Sequence, residues 1–113
     1  MSRRSVQRFD VTTETSSASN TITLVLRGEF DSSVVATFDA AASAVSALAP
    51  DQVTVDLEAV TIMDSAAIGA LMRLRKAVIA DGNRFVLLAP QQFQQRLFAV
   101  TGLSHIIQGA NQD

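Results

Sequence analysis

The sequence predicts an α/β fold: a mixed, mostly parallel β-sheet of four to five strands with helices packed on it. Three observations predict it. Segments whose apolar residues recur at every second position alternate with segments where they recur every third or fourth, the periods of strand and helix. Two strand-like segments come first with no helix between them, which makes a hairpin, and the later ones are separated by helices, which makes parallel β-α-β units. Finally, 113 residues of which 48% are hydrophobic and 18% charged supply one apolar core and leave no room for a second. The whole chain, residues 1–113, is therefore expected to be one domain with an ordered core over about residues 6–107.

Residues 6–11 and 21–27 have strand character and flank the polar stretch Thr-Thr-Glu-Thr-Ser-Ser-Ala-Ser-Asn at 12–20, which reads as a loose hairpin loop. In the second strand Ile22, Leu24 and Leu26 alternate with Thr23, Val25 and Arg27, and Gly28 is expected to end it. Asp31, Ser32 and Ser33 are good helix caps. Behind them Val34, Val35, Phe38, Ala41, Ala42, Val45 and Leu48 form the apolar face of a first helix, closed by Pro50.

Residues 52–57 alternate again as a strand with Val53, Val55 and Leu57 on one face, and residues 60–63 carry the chain on to Asp64 and Ser65. A second helix runs from there to Ala80 and stops at Gly82. Its first-choice buried face is Ala67, Leu71, Leu74 and Val78; Ile68, Met72 and Ile79 widen the apolar arc beyond what one contact needs, which makes them either an exposed strip for a protein partner beside Arg73, Arg75 and Lys76 or a face covered by another helix. Residues 84–89 read as a strand buried on both faces, and Pro90 starts a third helix over 91–100 with Phe93, Leu97 and Phe98 as its apolar set, closed by Gly102. Residues 103–108 are either a last short strand or an extended tail, and 109–113 are expected to fray. The element order is β-β-α-β-α-β-α-(β).

The composition excludes several kinds of chemistry. Nine basic residues are scattered against eleven acidic ones, for a net charge of −2, so no basic stripe exists to track nucleic-acid phosphates. The absence of cysteine rules out a disulfide scaffold, a thiolate metal site and a thiol nucleophile, and a single histidine, His105, rules out a two-histidine metal site. Glycines at 28, 69, 82, 102 and 109 have no phosphate-loop spacing. No Gly-x-Ser-x-Gly elbow accompanies Ser65, so a hydrolytic triad with His105 is set aside and no enzyme activity or cofactor is expected. The longest apolar runs stop at six residues, and Arg3-Arg4 is followed by Ser5, Gln7, Arg8 and Asp10 rather than an apolar stretch; neither a membrane span nor a secretion signal is read, and a cytoplasmic location is the default expectation.

Asp64 and Ser65 stand where the second helix begins, at the positive end of its macrodipole. Capping explains Asp64, and a hydroxyl there is also a candidate for phosphorylation. The stretch Val53-Thr54-Val55-Asp56-Leu57, followed by Ile62-Met63-Asp64-Ser65 and Ala66-Ala67-Ile68-Gly69-Ala70-Leu71, resembles the signature of STAS domains, above all the small bacterial anti-sigma factor antagonists. Upstream, Leu26-Arg27-Gly28-Glu29-Phe30-Asp31 is similar to a second element of that family. The two motifs stand about 34 residues apart.

The resemblance implies that Ser65 is the regulatory phosphoserine, that Asp64 is the acidic residue before it, and that Asp31 lies nearby on the partner surface. The partner-binding set expected is Asp31, Asp64, Ser65, Ala67, Ile68 and Met72. Ala66 replaces the second hydroxyl residue of the motif, and Ala67 replaces its glycine, adding a methyl group expected to crowd a kinase or phosphatase. The implied partner is an anti-sigma factor of the histidine-kinase-like ATPase type, joined by a serine phosphatase. The unphosphorylated protein would bind that factor and free a sigma factor, and phosphorylation of Ser65 would separate the complex. Two further readings stay open: a STAS subunit that binds the ATPase of an ABC-type lipid transport complex without phosphorylation, and a scaffold in a sensor complex. The oligomeric state is not legible.

Overall fold

The computed structural model describes residues 8–89 and 91–107. Four strands, β1 (Phe9–Ser16), β2 (Thr21–Phe30), β3 (Gln52–Met63) and β4 (Arg84–Leu88), form one sheet in the order β1-β2-β3-β4, with helices α1 (Val35–Ala47), α2 (Ser65–Ala80) and α3 (Gln92–Val100) following β2, β3 and β4. β1 pairs antiparallel with β2, and β2, β3 and β4 are parallel. The α/β class, the mixed sheet and the order of elements are as the sequence predicts. Of a fifth strand only a bridge remains, Ile107 beside Leu87, after a 3-10 turn at Ser104–Ile106.

Cross-strand pairing builds the core one layer at a time. Ile22 pairs with Val53 and Leu24 with Val55, and Val53 and Val55 pair with Phe85 and Leu87. Their shared face meets Phe38, Ala42 and Val45 of α1, Ala67, Leu71, Leu74 and Val78 of α2, and Phe98 of α3 in one buried cluster. Phe9, Phe30 and Phe38 stack in sequence with ring centroids 5.1 Å apart, close enough for aromatic contacts to add to simple burial. The other face carries Thr23, Val25, Thr54, Asp56, Val86 and Leu88, none of which belongs to that cluster. On this face of β4 Val86 and Leu88 are half-buried, short of the full burial on both faces that the sequence predicts.

Other boundaries differ for physical reasons. The polar stretch at 12–16 is strand, and only residues 17–20 turn the hairpin, with Asn20 at φ 49. β1 is an edge strand exposed on both faces toward its tip, so it needs no apolar alternation, and its threonines suit an extended backbone. Val6 lies outside the described residues. Gly28 does not end β2 but bends it: φ is +96 there, a Cβ would collide with the carbonyl oxygen of Arg8, and the pairing with β3 shifts register at this point. β3 runs unbroken through Glu58 and Ala59 by a similar shift.

Leu48, expected on the buried face of α1, is 67% exposed; α1 ends at Ala47, one residue earlier, and the chain leaves the helix at Ala49 with φ 49. In α3 Phe98 is buried, Phe93 and Leu97 are half-buried, and the fully buried neighbour is Gln94. The expected helix start at Pro90 and the ends of the expected tails, Gln108 and residues 109–113, lie outside the described residues.

Candidate functional site

The site is built where β2 and β3 end side by side. Phe30 pairs with Met63, so the segments that follow, Asp31-Ser32-Ser33 and Asp64-Ser65-Ala66, leave the sheet together. Asp64 caps α2 and also joins the two turns. Its Oδ1 accepts the N–H of Ala67 at 2.9 Å, and its Oδ2 accepts the N–H of Ser32 at 3.1 Å. Its carbonyl takes the N–H of Ile68 at 3.2 Å. Ser65, the first residue of α2, is exposed, and the N–H groups of Ser65 and Ala66 have no acceptor within the helix because a first turn has none.

Asp31 organises the neighbouring turn. Its Oδ1 accepts the Ser33 N–H at 3.0 Å and the Ser33 hydroxyl at 2.5 Å, and Arg8 stands 3.6 Å from Oδ2. The Ser33 hydroxyl, helped by the Arg8 charge, holds the Asp31 carboxyl below its ordinary range. Arg8 is anchored to Glu29 through Nε at 2.8 Å, and that contact raises the guanidinium pKa further. The main chain adds a second tie, from the Glu29 N–H to the Arg8 carbonyl at 2.7 Å, made possible by the bare Cα of Gly28. The ends of β1, β2 and β3 are thus joined into one platform bearing Glu29, Asp31 and Asp64.

The expected partner set divides. Asp31, Asp64 and Ser65 come together, and the Met72 side chain is half-buried and packed on the core. Ala67 is 0% exposed and Ile68 6%. Both point into the core cluster, so neither offers a contact surface, and the Ala67 methyl does not stand in the path of an enzyme approaching Ser65. The accessible line of α2 instead runs Ser65, Gly69, Arg73, Lys76. A Cβ at Gly69 would meet only Arg73 Nη1, at 3.8 Å, and Arg73 clasps Asp39 of α1 at 3.0 Å. The apolar strip is narrower than expected: only Ile79, 47% exposed, is open.

Sequence reasoning missed three features. Ile62, three residues before Ser65, is 48% exposed. Arg8 contacts the site from the start of β1. Gln91 and Gln94 close a capping box at the start of α3 and send their amides to the carbonyls of β3: Gln94 Nε2 to Leu57 at 2.7 Å and Val60 at 3.2 Å, and Gln91 Nε2 to Glu58 and again to Val60. The Gln-x-x-Gln spacing after Pro90 was the available signal. His105 is exposed on the last turn and has no hydrogen bond to Ser65 or to an aspartate among the described residues. No cluster of three metal-ligating side chains is found among them, and no helix among them is long and apolar enough to cross a membrane.

The chain is a small α/β domain with a mixed four-stranded sheet that brings Asp31, Asp64 and an exposed Ser65 together at the paired ends of β2 and β3. The chain belongs to the STAS domain family: the family model described as Mlab, STAS domain, matches residues 13–108. Solved structures share the fold. The anti-sigma factor antagonist SpoIIAA in its unphosphorylated form is 23% identical, with 91% of this chain and 90% of that one covered and a TM-score of 0.76. Bacillus SpoIIAA in the phosphorylated form is 23% identical over 91% and 93% of the two chains, with a TM-score of 0.69. An anti-sigma factor antagonist from Mycobacterium paratuberculosis is 21% identical over 88% and 82%, with a TM-score of 0.73. No curated protein gives a significant match.

Proposed function

We propose that this chain is an anti-sigma factor antagonist whose unphosphorylated form binds an anti-sigma factor of the histidine-kinase-like ATPase type and frees a sigma factor. Phosphorylation of Ser65 by that partner ends the complex, a serine phosphatase restores it, and the exchange takes place in the cytoplasm. The observation that carries the reading is the exposed Ser65 hydroxyl beside Asp64, whose carboxylate is fixed by two N–H groups. The contact surface comprises Asp31, Asp64, Ser65 and the open line of α2 through Gly69, with Met72 at its margin; no catalytic role is assigned to the chain.

The switch is electrostatic. A phosphate adds about 1.5 to 2 negative charges at neutral pH. Each unit-charge pair at about 4 Å costs about 1 kcal/mol in water and several times that where an interface excludes it. Because about 1.4 kcal/mol is tenfold in affinity, a dianion beside Asp64 and Asp31 changes binding by orders of magnitude, while the helix dipole favours the phosphate locally. The fold is kept and the surface changes charge. Binding of the purified kinase-type partner before and after incubation with ATP tests it: loss of the complex together with phosphate on Ser65 is expected, and a complex indifferent to ATP would refute it.

A second reading is compatible with membership of the STAS family: a STAS subunit that binds a transport ATPase through the same helix surface without phosphorylation. It predicts equal binding by wild type and Ser65→Asp.

A further inference from the structure

β1 leaves one edge of the sheet open. It stands first in the order β1-β2-β3-β4 and pairs with β2 alone. The Glu29 N–H bonds the Arg8 carbonyl, and the register that follows, from Phe9 opposite Gly28 to Ser16 opposite Thr21, is unbroken. In an antiparallel ladder hydrogen-bonded pairs alternate with pairs that are not bonded. Arg8, Asp10, Thr12 and Glu14 therefore exchange bonds with β2, and Phe9, Val11, Thr13 and Thr15 turn their N–H and C=O groups outward. None of these outward groups has a hydrogen-bond partner among the described residues. Edge strands are commonly protected by a lysine, a proline, a bulge or a short length. β1 has eight residues with no lysine, proline or register shift, and residues 12–16 are exposed.

We propose that this edge pairs with the same edge of a second copy of the chain, β1 antiparallel to β1 about Val11, which joins two four-stranded sheets into one. The charges select both the occupant and the register. Side chains of a cross-strand pair share a face, so a two-fold axis normal to the sheet must pass through a residue. An axis at Val11 sets Glu14 of each copy opposite Arg8 of the other, and Asp10 opposite Thr12. The Arg8 side chain is 62% exposed even while it holds Glu29, and Arg27 Nη1 lies 3.3 Å from the Thr12 hydroxyl. Each carboxylate of β1 thereby meets a cation. The two Val11 side chains, each packed against its own core, meet and continue the apolar layer across the seam. An axis at Thr12 would instead set Asp10 opposite Glu14 twice, like charge against like. One at Thr13 would set Asp10 opposite Ser16 and leave Arg8 beyond the paired strands.

The pairing is independent of the reading of Ser65. One strand on each side makes a small seam, below the total of about 1,200 Å² at the low end of stable interfaces, so the dimer should be weak and concentration-dependent.

Sedimentation equilibrium of the purified full chain up to about 1 mM tests it, a concentration at which even weak pairing is populated. The wild-type mass should rise toward twice that of the chain. Thr13→Pro removes an outward N–H without touching a bond to β2, and Glu14→Arg sets an arginine against Arg8. Each should weaken association at least about tenfold, because the symmetry applies every change twice, with melting curves showing both variants folded. The chain has no cysteine, so single cysteines read the register. Under mild oxidation Val11→Cys should form a disulfide-linked dimer, its Cα atoms being about 5.5 Å apart. Thr13→Cys should not, since its two copies lie about 13 Å apart along the strands. A wild type that stays monomeric at about 1 mM overturns the inference and leaves the edge to an extended strand of a different protein. A dimer that both Thr13→Pro and Glu14→Arg leave intact overturns it too, as does cross-linking of Thr13→Cys in preference to Val11→Cys.

Discussion

Replacing Asp64 separates its two structural duties. In Asp64→Ala the first turn of α2 loses its cap, the 2.9 Å bond from the Ala67 N–H, and the turn after β2 loses the 3.1 Å bond from the Ser32 N–H. Losing an N-cap costs about 1 kcal/mol. An N–H left without its partner near the surface costs about 0.5 to 1.5 kcal/mol more, since water replaces only part of the bond. The total is about 1.5 to 2.5 kcal/mol, which in a domain of this size lowers the melting temperature by about 6 to 15 °C.

Asp64→Asn keeps an oxygen for Ala67 but turns an NH2 group toward Ser32, so it keeps the cap and loses the tie, at about a third to a half of that cost. Thermal unfolding followed by circular dichroism on the three proteins gives the order wild type, Asp64→Asn, Asp64→Ala. An alanine variant that melts within about 1 °C of wild type, or an asparagine variant no more stable than alanine, would refute the account of Asp64 as a two-way tie.

Gln94→Leu removes both bonds to the Leu57 and Val60 carbonyls at the buried start of α3. Val60 keeps Gln91, so about 1 to 3 kcal/mol of stability is lost in denaturant titration, and Gln94→Glu should lose more by aiming a carboxylate at carbonyl oxygens. Gly28→Ala forces a Cβ into the Arg8 carbonyl at a positive φ; exchange of the Glu29 amide with deuterium should accelerate far more than that of Leu24, deep in the same strand. Asp31 carries a pH signature. Its carboxyl is held low, mainly by the Ser33 hydroxyl, so its contribution is present above the pKa of the unfolded chain and is lost as pH falls through the folded value. The stability gap between wild type and Ser33→Ala should therefore narrow as the solution is acidified through the carboxylate range, and a gap constant with pH would contradict the assignment.

The legible parts of this molecule are those whose signals are local. Ala67, Leu71, Leu74 and Val78 recur at helical spacing and are all buried, and Asp64 stands before an apolar run, as a cap does. β1 hid because an edge strand open on both faces has no reason to alternate, and its threonines read as loop. Ile68 was placed outside because the arc buried by α2, wedged between the sheet and α1, is wider than one contact. Gln94 was missed because the carbonyls it serves lie 34 and 37 residues away. The tie from Ser32 to Asp64 spans 32 residues; only the β2–β3 register reveals it, and that register shifts at two places. Leu48 followed the helical period of α1 faithfully, yet the helix ends at Ala47.

Calorimetric titration of the kinase-type anti-sigma factor with wild type and Ser65→Asp bears most directly on the role of Ser65. A carboxylate placed on that exposed hydroxyl position should weaken binding at least about tenfold, about 1.4 kcal/mol, with the melting temperature unchanged within about 2 °C. Two superimposable isotherms would contradict a charge switch at the start of α2.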